Sequence, residues 1–479
     1  MNTIVIMCDS FRADHLGCYE KFISEDCNLG LGPELPVSTP NLDKLAEESA
    51  LFYHAYPEGV PTLPVRSSLF TGRVLFPFRG WQRLERSDIL ISEVLGRAGF
   101  KTSLVADTYH MRWFGYKRGF KHHEFIKGQE YDIASCILRT PFIDTSSCYR
   151  YRQDCSFQEK IMRKFMSKQT VNNMRKLITD GIFDEEKDTY AARTFRAARK
   201  YLDGHTADDN IFLWVDSFDP HEPWNPPEPY TRMYNPGYDE IDLICPHPGE
   251  VKDYISDEEL FNIRALYAGE VSMVDKIVGD FIDYLRHKEW LEDTMLIFLA
   301  DHGEPMGESH GERHGGIVRK SRPWLYQELM RIPLIIRHPD GFGAGKAFGN
   351  YVMTPDIMPT ILDYMQVKAP KTIDGLSLIP LLKGEADYTR DKVILGWHGF
   401  ATNLRTPEHS YHNWTMDPPE FYDLKNDEYE QDDIIDENED IAQEYEETIQ
   451  KYVKKIIARH PEDKVKEIDQ FYLFDRKVE

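Results

Sequence analysis

The chain has 479 residues, 41% of them hydrophobic and 13% aromatic, with ordinary Gly and Pro content, which excludes a disordered or fibrous protein and allows a large buried core. Its 81 Asp and Glu against 57 Lys and Arg give a formal charge of -24. This excludes nonspecific binding of a nucleic-acid polymer, which needs a basic face to displace counterions.

A small anionic substrate stays compatible with that charge, because a few local cations or a metal ion can dominate the potential inside a cleft. The seven cysteines (Cys8, Cys18, Cys27, Cys136, Cys148, Cys155, Cys245) are odd in number and form no CxxC pair, as expected of reduced thiols in a cytoplasmic protein. "MNTIVIMCDS" has no basic leader, and no run approaches the ~18 apolar residues of a membrane span. A soluble cytoplasmic protein without a membrane partner is therefore expected.

In chain order, "TIVIMCD" reads as a buried strand ending at Asp9. "STPNLDKLAEESALFYHAY" offers Thr39 as a helix cap and Pro40 at the first helical position. In "TLPVRSSLFTGR" a helix begins at Thr62, with Pro64 in its first turn and Arg66 one turn beyond. A hydroxyl there feels the positive end of the helix dipole, and the arginine fork can bind a tetrahedral anion. The same spacing equally suits a capping threonine beside a surface arginine.

The helix "SDILISEVLGRAG" stops at Gly99 and leads into the strand "FKTSLVAD". "DTYAARTFRAARKYL" precedes "NIFLWVDSFD", "IRALYAGEVSMVDKIVGDFIDYLRH" precedes "TMLIFLADHGE", and "IPLIIRHPDG" supplies a further strand. Such alternation predicts an α/β fold of three layers, α/β/α, around a mostly parallel sheet. The expected division is a catalytic domain over 1–375, with an insertion or lid over about 121–187, and a smaller C-terminal α+β domain over 376–479. The aromatic tail "IDQFYLFDRKVE" could dock on its own chain or on a second subunit, which leaves room for a homo-oligomer.

Residues with chemical potential recur after the strands: Asp9, Asp107 to His110, Asp216 to His221, and Asp301 with His302. Open α/β sheets collect such residues in one cleft at the carboxyl ends of their strands. Asp9, Asp301 and His302 suit a divalent transition ion such as Mn²⁺ or Zn²⁺ better than Ca²⁺, which prefers oxygen alone. "DPHEPWNPP" is a proline-stiffened loop that could hold His221 over the cleft to protonate a leaving oxygen, or simply pack it. "ADTYHMRW" contributes Thr108 and His110. "MGESHGERHGGIVRKSRPW" contributes His310, His314, Lys320 and Arg322 as candidate anion contacts.

In order, "IVIMCDSFRADHLGCY", "TLPVRSSLFTGR", "GFKTSLVADTYH", "DPHEPW", "YAGEVSMVDKIVG", "ADHGEPMGESHG" and "DGLSLIPLLKG" resemble the sulfatase branch of the alkaline phosphatase superfamily. With their neighbours they span roughly residues 4 to 430. The nucleophile motif of that family, Cys or Ser followed by x-Pro-x-Arg, reads Thr62-Leu63-Pro64-Val65-Arg66 here. Sulfatases oxidise the first residue to formylglycine. A threonine would give a ketone instead, so no formylglycine is expected. Asp9-Ser10 and Asp301-His302 replace the Asp-Asp and Asp-Asn of calcium sulfatases, and Thr108 replaces a family lysine. In these features the chain is nearest to the phosphonate monoester hydrolase and phosphodiesterase members.

The resemblance implies a divalent metal on Asp9, Thr62, Asp301 and His302, with Thr62 as nucleophile. It implies that Arg66 orders the nucleophile and transferred group, and that His221, His110 and Lys320 contact the group or its leaving oxygen. Thr108, His310, His314 and Arg322 are the accompanying substrate-binding candidates. The expected activity is hydrolysis of phosphodiesters or phosphonate monoesters through a phosphoryl-threonine intermediate. The alternatives are a sulfatase acting without formylglycine and a non-catalytic anion-binding protein.

Overall fold

The computed structural model describes residues 1–23, 36–127, 166–167 and 185–466, apart from 241, 247–248, 254, 311–313, 321 and 386–389. Most of the expected lid, the aromatic tail from 468, and Cys27, Cys136, Cys148 and Cys155 lie outside the described residues.

The first part of the chain builds β1 (Asn2–Cys8), α1 (Pro40–Glu47), β2 (Ala50–Phe52), α2 (Thr62–Thr71), α3 (Ile91–Arg97), β3 (Lys101–Ala106) and β4 (His122–Phe125). There follow α4 (Tyr190–Asp203), β5 (Ile211–Ser217), α5 (Asp257–His287), β6 (Thr294–Ala300), β7 (Leu334–Arg337) and β8 (Lys346–Phe348). The eight strands form one sheet in the order β8-β2-β7-β6-β1-β5-β3-β4. All run the same way except β7, which is antiparallel to both β6 and β2.

β1 is central, paired with β6 from Asn2↔Thr294 to Cys8↔Ala300 and with β5 on its other side. β1, β5 and β6 are buried at every position, because helices cover both faces and leave no solvent side for alternating polar residues. The register ends all three strands together, so Asp9 and Asp301 emerge side by side. β4 is the sheet's edge strand, paired with β3. The sheet therefore continues into the first residues of the segment expected to begin the lid.

α1, α4 and α5 pack together on one face, and α2 and α3 form a group with the helix Ile357–Tyr364 on the other. The 31-residue α5 starts in a reciprocal cap: Ser256 Oγ accepts from Glu259 N at 3.3 Å, and Ser256 N donates to Glu259 Oε2 at 3.0 Å. α2 is buried along its whole length and ends at Gly72, whose φ of +66° is the left-handed conformation that glycine adopts without strain.

A second sheet is antiparallel, with β9 (Val393–Trp397), β10 (Ala401–Arg405), β11 (His409–Trp414) and β12 (Glu420–Asp423) in sequence order. α6 (Glu439–Arg459) packs on it. Its core draws in Val74, Phe76 and Phe78, from the chain just after α2, against Ile394, Leu404, Phe421 and Ile449. Backbone bonds from Val60 N to Gly396 O (3.1 Å) and from Gly396 N to Glu58 O (2.9 Å) join the approach to α2 to β9. The helix that begins at Thr62 is thus held from both sheets. Among the described residues no helix is long and apolar enough to cross a membrane.

Candidate active site

Four fully buried side chains, Arg66, Asp9, Asp216 and Asp301, meet where β1, β5 and β6 end. Arg66, projecting from α2, is their hub. Its Nη1 donates to Asp301 Oδ2 at 2.5 Å, its Nη2 to Asp216 Oδ1 at 2.9 Å and its Nε to Asp216 Oδ2 at 3.3 Å, while Asp9 Oδ2 lies 3.0 Å from Nη2. Arg66 therefore spends its guanidinium on the protein's own carboxylates and sets their spacing. Asp216 also accepts from Thr108 Oγ1 at 2.5 Å and from Trp214 Nε1 at 3.2 Å, which makes it the anchor for Arg66.

Thr62 Oγ1, in the first turn of α2, lies 3.2 Å from His302 Nε2. His302 Nδ1 is 2.7 Å from the Gly303 carbonyl, which can only accept, so the ring proton sits on Nδ1 and Nε2 presents its lone pair to Thr62. Burial lowers the His302 pKa to about 4, so the ring is neutral at pH 7. Gly303 is required for this placement: a Cβ there would collide with the Glu328 carbonyl oxygen. Ser10 takes the left-handed φ of +58° and turns its N–H onto Asp301 Oδ1 (3.0 Å) and its Oγ onto Asp9 Oδ1 (3.0 Å).

Donor atoms of Asp9, Asp301 and His302 lie within 4.8 Å of one another. Asp9 Oδ2 is buried and, beyond its ion pair with Arg66 Nη2, accepts no hydrogen bond from the described residues. Burial, with Asp301 beside it, raises the Asp9 pKa well above the carboxylate range. Asp9, Asp216, Asp301, Glu222 and Glu304 outnumber Arg66, Arg319 and Lys320 in this region. Two carboxylates, a neutral imidazole fixed through its other nitrogen, and surplus negative charge fit a divalent cation. A second group able to hold a metal, His460, Glu462 and Asp463, is already engaged: His460 bonds Asp374 and Asp463 pairs with Arg73.

Lys320 reaches the centre from the loop after β6. Its Nζ donates to Glu304 Oε2 at 2.8 Å and to Ser10 Oγ at 3.1 Å, and lies 4.0 Å from Glu222 Oε2. Burial disfavours its charge, but Glu304, Glu222 and Asp9 outweigh burial and keep it protonated. His221 stacks on Phe218 at 4.0 Å between ring centres, and its Nδ1 lies 2.8 Å from the Glu222 carbonyl. Burial holds its pKa well below the ordinary value. With its proton on Nδ1, His221 presents Nε2 as an acceptor, whereas protonating a leaving oxygen would need a donor. His110 is buried edge-on to Trp81 at 5.0 Å. Burial, then Arg66, lowers its pKa to about 3.

Asp9, Thr62, Arg66, Asp301, His302 and Lys320 are thus brought together, with Thr108 behind Asp216. His310 and His314 instead face the second sheet. His310 lies 2.9 Å from Glu328 Oε1 and 3.0 Å from the Glu430 carbonyl and stacks on Tyr326, so both ring nitrogens are engaged by protein. His314 lies 2.8 Å from Glu420 Oε1 and 2.9 Å from the Tyr326 hydroxyl, both at Nδ1. Arg322 is half-buried, and the contacts that tie its loop to the centre are made by Lys320 and Arg319. Glu304, Glu222 and Arg319 were not singled out by sequence reasoning, although all three stand inside the motifs it used.

His310 gives a test of stability. Burial opposes its charge, but Glu328 and Glu430 outweigh burial and raise its pKa to about 9. The folded value exceeds the unfolded ~6.5, so this stabilisation is complete below pH 6.5 and lost as pH rises through 9. It amounts to about 3 kcal/mol. Urea unfolding at pH 6 and pH 9.5 should show that decline in the wild type and a flatter profile in His310→Gln.

The Sulfatase family model matches residues 1–367, and a model described as the C-terminal part of N-sulphoglucosamine sulphohydrolase matches 318–459. An arylsulfatase of Clostridium perfringens is 24% identical, covering 97% of this chain and 95% of its own. The multifunctional alkaline phosphatase superfamily protein PehA of Trinickia caryophylli is 24% identical over 90% of both chains. The crystal structure of the phosphonate monoester hydrolase of Agrobacterium radiobacter superposes with a TM-score of 0.70 at 20% identity, covering 96% of this chain and 95% of that one. That likeness is one of fold. With the family model covering the whole large sheet and every residue of the Thr62 centre, the chain belongs to the sulfatase family, within the alkaline phosphatase superfamily, and is a hydrolase of that family.

Proposed function

We propose that this hydrolase cleaves small phosphodiesters or phosphonate monoesters in the cytoplasm through a covalent phosphoryl-Thr62 intermediate, with Mn²⁺ or Zn²⁺ held by Asp9, Asp301, His302 and Thr62. The observation that carries this reading is a threonine hydroxyl 3.2 Å from His302 Nε2, beside the Asp9 and Asp301 carboxylates. When bound, the divalent ion supplies Lewis acidity that lowers the hydroxyl's pKa and neutralises charge on the transferred group.

The Thr62 hydroxyl releases its proton to solvent, its oxygen attacks phosphorus, the Oγ1–P bond forms, and the P–O bond to the leaving group breaks. The leaving oxygen departs as its anion and takes a proton from solvent. Lys320, protonated and poised between Ser10 and Glu304, offsets the anion's charge. In the second step His221 Nε2 accepts a proton from the attacking water, the new P–O bond forms, the Oγ1–P bond breaks, and Thr62 Oγ1 regains a proton from solvent while His221 releases its own. Arg66 holds Asp9, Asp216 and Asp301 in place throughout.

Threonine favours phosphorus over sulfur for a chemical reason. A formylglycine hydrate expels sulfate by elimination through its second hydroxyl, and threonine has no second hydroxyl. A phosphoryl-threonine is instead released by water attacking phosphorus.

The test is initial rates of metal-loaded enzyme on p-nitrophenyl sulfate, p-nitrophenyl phosphate, bis-p-nitrophenyl phosphate and p-nitrophenyl phenylphosphonate. Fastest turnover of the diester or phosphonate supports the reading, and dominant sulfate turnover contradicts it.

A further inference from the structure

Two loops that carry reactive groups meet at one ion pair. The loop after β5 bears His221, and the loop after β6 bears Lys320. Between them the Arg319 guanidinium pairs with Glu222 Oε1, and Arg319 Nη1 also donates to the Pro246 carbonyl at 3.1 Å. The other Glu222 oxygen lies 3.2 Å from His221 Nδ1 and 4.0 Å from Lys320 Nζ. The Glu222 side chain is only 2% exposed, so its charge is compensated by these neighbours rather than by water.

Arg319 also holds a φ of +65°, a left-handed backbone that a side chain makes costly and glycine adopts freely. Gly315 and Gly316, just before it, have positive φ as well. An arginine at the end of such a turn indicates that its side chain is needed enough to sustain the strain.

We infer that Arg319 and Glu222 are positioning residues, a clamp that fixes His221 Nε2 and Lys320 Nζ around the anion being transferred. The inference rests on reading the Thr62 centre as an ester hydrolase. The clamp acts on orientation and on proton placement together. The Glu222 carbonyl fixes the His221 proton on Nδ1, the Glu222 carboxylate faces the same edge, and Arg319 and Lys320 offset that carboxylate while Phe218 covers the ring.

The experiment compares wild type, Arg319→Gly, Arg319→Lys and Glu222→Gln as metal-loaded full-length protein. Thermal midpoint, affinity for orthovanadate as a tetrahedral-anion probe, and kcat and KM on the fastest ester are measured for each. Glycine relieves the turn but leaves the Glu222 carboxylate buried with one cation fewer, so R319G should lower the midpoint, and the kinetic and vanadate measurements are made well below it. R319G should lose on the order of 10²-fold in kcat/KM, mostly in kcat, and bind vanadate more weakly, because reacting groups misplaced by about 1 Å lose that much. R319K should recover part of both, and E222Q should move the acidic limb of the kcat/KM profile.

R319G with vanadate affinity and kcat/KM near wild type would overturn the inference. So would an Arg319→Lys enzyme that regains the midpoint without regaining any kcat/KM or vanadate affinity, which would make Arg319 a structural brace. If the wild type turned over none of the esters, the hydrolase reading would fail, while vanadate affinity in R319G would still decide whether the clamp orders an anion site.

Discussion

Replacing Thr62 by Ala is expected to lower kcat by a factor on the order of 10⁴–10⁶, the range seen when a covalent nucleophile is removed. Thr62 is 2% exposed, and its hydroxyl lies against His302 Nε2. Removing it leaves that nitrogen facing the carboxylate cluster and takes little apolar volume from α2. The cost in stability should therefore stay near 1 kcal/mol, as for an ordinary point substitution. Thr62→Ser keeps a hydroxyl at the same backbone position and should retain measurable turnover, whereas Thr62→Val keeps the shape and should not. Steady-state rates on the preferred ester, with unfolding curves for each variant, separate the chemical loss from a folding loss. A Thr62→Ala enzyme with wild-type turnover would remove Thr62 from the reaction.

The second large effect concerns Arg66. Its guanidinium compensates Asp9, Asp216 and Asp301, all without solvent exposure. Removing one member of a buried ion cluster costs about 3–5 kcal/mol, because the remaining charges stay buried without compensation. Arg66→Met should show that loss in urea unfolding measured with a chelator present. A divalent ion neutralises the same carboxylates, so saturating Mn²⁺ or Zn²⁺ should restore more stability to Arg66→Met than it adds to wild type. An equal metal-induced gain in both proteins would mean that the ion does not bind at these carboxylates.

The sheet was legible because its central strands carry a strong signal. "TIVIMC", "IFLWVDS" and "TMLIFLA" are continuous apolar runs, as strands buried on both faces must be, and each ends in or next to an acid. Parallel register then aligns their ends, which is why Asp9, Asp301 and His302 could be grouped before their distances were known. Thr62 and Arg66 follow from helical spacing, since one turn projects both toward the same strand ends.

The remaining features depend on partners distant in sequence. The Gly- and His-rich run from 306 to 324 has the composition of an anion-binding loop. Yet His310 and His314 are turned toward Glu328 and toward Glu430 and Glu420, which adjoin or belong to a sheet of short strands more than 100 residues further along the chain. Lys320 on the same run does reach the centre. Its neighbour Arg319 looks like any basic loop residue until its positive φ and its pairing with Glu222 are seen. Thr108 reads as a cleft-facing hydroxyl, but its bond to Asp216 places it behind Arg66. His221 is legible as a loop imidazole, whereas its role as acceptor follows from the Glu222 carbonyl, which no pattern of residue types reveals.

Passage of the substrate through a covalent bond to Thr62 fixes the stereochemistry at phosphorus. The substrate would be a phosphorothioate diester of a single configuration at phosphorus, hydrolysed by the metal-loaded enzyme in oxygen-labelled water, with the configuration of the isotopically chiral product assigned. Two successive in-line displacements, by Thr62 Oγ1 and then by water, predict overall retention. Inversion would mean that water attacks the substrate directly and would contradict the phosphoryl-Thr62 intermediate.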